Sequence, residues 1–104
     1  QREERLAARR AAARTKATEK ARKVFNVNAE PREAASRAVA AAAKSIRRYM
    51  NANGEAISER EVSQAVTKSG KATYTGTPKE AADKALDEFF QELGFAARGK
   101  RQRT

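Results

Sequence analysis

The chain has 104 residues, 23 Lys or Arg against 13 Asp or Glu, a formal net charge of +10, and no Cys, His or Trp. That length holds one domain with a modest core, and the missing Cys and His exclude disulfide frameworks, zinc ribbons, thiol nucleophiles and imidazole acid–base chemistry. No apolar run is long enough to span a bilayer, while a charge of this size points to a polyanionic partner, since net charge governs association rather than topology.

Residues 2–25 read as a helix on propensity, being dominated by Ala, Arg, Lys and Glu. Between Leu6 and Val24 its apolar positions are all alanines, such as Ala7, Ala11, Ala13, Ala17 and Ala21. Alanine removes little area from water, and most helical stability in proteins comes from docking an apolar face. The expectation is therefore a helix that gains little from its own domain and frays without a partner. Its Arg- and Ala-rich, acid-poor composition overlaps with that of an organelle transit peptide, but Arg and Lys interrupt any apolar segment that a secretory signal needs. The localisation expected is intracellular, either cytoplasmic or nucleoid-associated, or inside a virion.

Asn26 to Glu30 form a break, and Pro31 suits the first position of a second helix reaching about Asn53. Ala35, Val39, Ala42, Ile46 and Tyr49 or Met50 give it a buried stripe at spacings of three and four. Asn53-Gly54 ends it, since Gly tolerates the left-handed position after a helix. Ser58-Glu59-Arg60-Glu61 matches a capping box that opens a third helix ending at Gly70, with Val62, Ala65 and Val66 inward and Ile57 packing just before the cap. Residues 72–75 read as a brief extended piece. Thr77-Pro78-Lys79-Glu80 is a second capping box, with Pro at the first helical position. The fourth helix, about 78–93, puts Ala82, Leu86, Phe89 and Leu93 on one face, and Gly94 stops it with Phe95 folding back. Arg98 to Thr104 form a basic tail with no apolar anchor. The fold class expected is all-α: a small three-helix globular core over 31–95, preceded by a long basic Ala/Arg-rich extension at 1–25 and followed by the basic tail 96–104.

The charge is unevenly spread. Residues 1–25 carry nine basic and three acidic side chains, and residues 96–104 carry four basic and none acidic, while 26–95 balance to zero. The function is therefore expected in the two ends. On the first helix Arg5, Arg9, Arg10, Arg14, Lys16, Lys20, Arg22 and Lys23 have only Glu3, Glu4 and Glu19 as neighbouring acids, so most lack an intrahelical partner. Such a row neutralises phosphates without reading sequence, and Arg forks match phosphate oxygens. Arg98, Lys100, Arg101 and Arg103 form a second K/R cluster, and two tethered weak contacts reinforce one another.

Other chemistries find little support. A phosphate loop around Gly70-Lys71 fails, since Ala65 stands where Gly is needed and Ala72 where Ser or Thr is needed. Of Glu59, Glu61, Glu80, Asp83, Asp87, Glu88 and Glu92, those in a first turn are explained by capping and the helix dipole. Four of the last five fall at intervals of three to five on one exposed helix face, and nothing marks one as a buried acid with a raised pKa. The reading is a non-enzyme with no cofactor and no metal site. For base stacking, Phe89 and Phe90 read as core and Tyr49 as core edge. Tyr74 is the one candidate ring, with turn anchoring the simpler account. A membrane surface is disfavoured, because the first helix lacks the aromatic or leucine face that interfacial insertion uses.

SEREVSQAVTKSG at Ser58 to Gly70, followed by TPKEAADKALDEFFQEL at Thr77 to Leu93, resembles the opening helix–turn–helix of the bacterial histone-like HU family and covers roughly a third of the chain. That family continues into a β-sheet saddle with DNA-embracing arms, whereas here a basic tail follows, and Lys71 to Gly76 is an insertion relative to the pattern. The resemblance therefore carries over no DNA-contact residue. The function expected is non-enzymatic binding of nucleic acid, DNA or RNA, through phosphate contacts without strong sequence specificity. The alternative is a structural subunit of a larger assembly, a virion component or ribonucleoprotein particle, whose tails dock on neighbouring subunits.

Overall fold

The computed structural model describes residues 2–53, 58–71, 74 and 76–95. They form four helices, α1 (Arg2–Lys23), α2 (Pro31–Asn53), α3 (Glu59–Lys71) and α4 (Pro78–Leu93), with no strand among the described residues. The basic tail, Gly54, Ile57 and most of the 72–75 stretch lie outside them.

The helix ends follow local chemistry. At the turn after α1, the Asn28 N–H donates to Asn26 Oδ1 at 2.9 Å. The Ala34 N–H returns to the Glu30 carbonyl at 2.8 Å, placing Pro31 where no donor is needed. Both capping boxes form. Ser58 Oγ accepts from the Glu61 N–H at 3.2 Å while Glu61 Oε1 accepts from the Ser58 N–H at 2.9 Å. Thr77 and Glu80 exchange the same pair at 3.1 and 3.0 Å. The third helix runs one residue past Gly70, to Lys71. Gly94 takes φ 79°, and the Gly94 and Phe95 N–H groups return to the Gln91 and Phe90 carbonyls at 3.1 and 2.7 Å. This closes α4 in a Schellman motif that turns Phe95 back into the core.

Helix α2 is the hub, packing against α1, α3 and α4, and α3 pairs with α4. Phe89, Phe90, Ile46 and Val62 are fully buried at the centre. The core does not stop at residue 31. Ala13, Ala17 and Ala21, one turn apart, are buried in the same cluster as Ala35, Ala42 and Phe89. The expectation that α1 finds little on its own domain is thus corrected for two reasons. Alanine lets two backbones approach closely and gain dispersion contacts along the seam. Two arginines add contacts that the alanines cannot make: the guanidinium carbons of Arg10 and Arg14 sit 5.1 and 4.8 Å from the ring centroids of Phe95 and Phe90.

Candidate anion-binding groove

Helices α1 and α2 run antiparallel, so the Arg9 end of α1 lies beside Ala52 and the Lys23 end beside Ala41. Between them a surface groove of about 500 Å³ opens, continued by a second hollow of about 290 Å³ that shares Lys20, Ser45 and Arg48 with it. From α1 the walls receive Arg9, Lys16, Lys20 and Lys23, which recur at helical spacing along one edge. From α2 they receive Lys44 and Arg48, four residues apart. The floor is small and largely apolar, formed by Ala12, Ala13 and Ala52 with the ring of Tyr49. No Asp or Glu lines either hollow.

Several carboxylates are engaged elsewhere, and Glu19, exposed on α1, is not in the lining of either hollow. Among the described residues the ion pairs are Arg14–Asp87, Arg37–Glu33, Arg47–Glu59, Lys68–Glu92 and Lys79–Asp83, and none includes a groove cation. Arg47, the neighbour of Arg48, turns to the other side of α2 and holds both Glu59 carboxylate oxygens at 2.9 Å. Six like charges thus converge on one concave strip with no acid in its walls, the arrangement that concentrates field lines and counterions. From Arg9 to Lys23 the strip spans about 21 Å of helix.

The structure divides the expected contact residues. Arg9, Lys16, Lys20 and Lys23 are exposed on the groove, while Arg5 and Arg22 are exposed outside its lining. Arg10 and Arg14 are half-buried and turned to the end of α4. Arg14 Nη1 donates to the Phe95 carbonyl at 2.8 Å and its Nη2 lies 3.4 Å from Asp87 Oδ1. Arg98, Lys100, Arg101 and Arg103 lie outside the described residues. Reading the sequence missed Lys44, Arg48 and the position of Tyr49. The signal present was the basic pair at i and i+4 on α2, which gains meaning only once α1 is laid against it.

Tyr74 anchors its turn. It is 8% exposed, and its hydroxyl donates to the Ser69 carbonyl, one of the orphan acceptors at the end of α3, with Glu88 Oε1 at 3.2 Å as a second acceptor. Burial first, then the adjacent Glu88 charge and hydrogen bond, pushes the phenol up to about 12. Among the described residues no group of acidic side chains is arranged to hold a metal, and no helix is long and apolar enough to cross a membrane. No family model matches the chain, and neither a curated protein nor a solved structure matches it.

Proposed function

We propose that this is a non-enzymatic helical protein that binds nucleic acid by its phosphates, with little sequence preference, along the α1–α2 groove. The observation that carries this is the convergence of Arg9, Lys16, Lys20, Lys23, Lys44 and Arg48 on a strip lined by no acid. Lys and Arg that meet phosphates release condensed counterions, so affinity falls linearly on a log scale with salt. Full engagement of the six by a single strand gives a slope of about −4. The test is a fluorescence-anisotropy titration with labelled DNA and RNA across a salt series. Steep salt dependence, with similar affinities for unrelated sequences, supports the reading. Absence of binding at low salt, or a salt-insensitive affinity, sinks it.

A second reading, a subunit of a larger assembly, has one observation in its favour: Val24 and Val27 stand 45% and 69% exposed at the α1–α2 turn. Two isolated valines make a much smaller surface than a subunit contact requires, so the groove takes precedence. Light scattering of the free chain separates the two.

A further inference from the structure

We infer that the groove takes a single strand, with a nucleobase stacked on Tyr49 while the phosphates follow the cations on either wall. This rests on the phosphate-binding reading above and names the form of nucleic acid. Tyr49 is the aromatic side chain lining the groove and shares that lining with Arg9, Lys16, Lys20 and Arg48. It is half-buried and forms part of the lining of the hollow. Around it, Ala12, Ala13 and Ala52 are small enough to leave room above the floor. Stacking on such a ring tolerates any base, because every base has a π-face.

The ring is also held in place. Tyr49 meets Phe95 edge to face, with centroids 6.2 Å apart and planes at 88°. Phe95 is fixed in turn by the Arg10 guanidinium over its ring and by Arg14 on its carbonyl. The two arginines that leave the groove therefore buttress its aromatic floor. A duplex keeps its bases turned inward and offers a groove between two packed helices only phosphates. In a single strand the bases splay and can reach the floor. Ring and cations together match a single strand and not a duplex.

The experiment uses the fact that the chain has two Tyr and no Trp. Intrinsic fluorescence then reports Tyr49 and Tyr74 alone, and Tyr74 is buried away from the groove. The full chain is titrated at low salt with short oligothymidylate, with the corresponding dA·dT duplex, and with inorganic polyphosphate. Emission and light scattering are followed together, the scattering confirming which ligands bind. Oligothymidylate is expected to quench emission, and polyphosphate and duplex to bind without quenching. Tyr49→Leu is expected to weaken oligothymidylate binding about tenfold or more and to leave polyphosphate binding unchanged. Tyr49→Phe, which keeps a ring, is expected to retain affinity while losing the quench. If oligothymidylate binds without quenching, or Tyr49→Leu binds it as wild type does, the stacking inference is overturned and the phosphate groove stands. If none of the three ligands binds, both are overturned.

Discussion

Arg14 reaches across the molecule to the carbonyl of Phe95, 81 residues away along the chain, and binds it at 2.8 Å. One guanidinium thus ties the first helix to the end of the last, and its plane covers the Phe90 ring at 4.8 Å. By composition Arg14 is one more positive charge in a basic helix. By position it is a structural fastener.

Arg14→Ala is expected to destabilise the fold by about 2 kcal/mol, through a lost charge-assisted hydrogen bond and a lost cation–π contact. Arg14→Lys restores only part of this, because an ammonium cannot bond the carbonyl and cover the ring with one plane. Urea unfolding followed by circular dichroism measures the loss. A wild-type midpoint for Arg14→Ala would show that the tie contributes nothing.

Groove cations should behave differently. Lys20, which lines both hollows, is expected on mutation to Ala to weaken nucleic-acid binding with little change in stability. The log–log salt slope should shrink by roughly 0.7 to 1. Lys79→Ala, which removes a base paired with Asp83 at 3.0 Å on α4, serves as the control and should leave binding unaltered. Equal effects of the two would mean that net charge, not the groove, governs affinity.

The α1–α2 seam gives a third prediction. Ala17 is fully buried, so Ala17→Leu overpacks the contact and should cost about 1 to 3 kcal/mol. Ala11→Leu, the same change at an exposed position of the same helix, should cost less. Thermal melts of both variants decide the point, and equal melting temperatures would contradict a tightly packed seam.

Tyr74 predicts an alkaline response. Its folded pKa of about 12 lies above the ordinary tyrosine value of 10.0. The unfolded chain therefore releases this proton first, so the associated stability is complete below pH 10 and drains away as pH rises towards 12. Tyr74→Phe should flatten that part of the stability profile relative to wild type. It should also cost about 1 to 2 kcal/mol at neutral pH by stripping the Ser69 carbonyl of its donor. Parallel slopes for the two proteins between pH 10 and 12 would show that the phenol titrates normally.

Much of the fold was legible because helix ends are written locally. Pro31, the Ser58–Glu61 and Thr77–Glu80 boxes and Gly94 each announce a boundary within four residues, and the spacing of Leu86, Phe89 and Leu93 announces the buried face. The docking of α1 was not legible, because Ala13, Ala17 and Ala21 carry too little area to mark a face. The division among the arginines was hidden for a related reason. Arg9 and Arg10 are chemically identical and point about 100° apart on the helix, and only the packing of α1 on its neighbours shows that one faces the groove and the other the Phe95 ring. Lys44 and Arg48 became part of the candidate site through a contact between helices that no local pattern encodes.

The alanine seam has a further consequence. Side chains that carry charge are long and adjustable, but between the two rows of cations α1 presents the buried methyl groups of Ala13, Ala17 and Ala21. Methyl groups have no rotamers. On the α1 side the spacing of the track between Lys20 and Arg48 is therefore constrained by groups that cannot adjust, and a residue larger than Ala at the buried position 17 is expected to widen it.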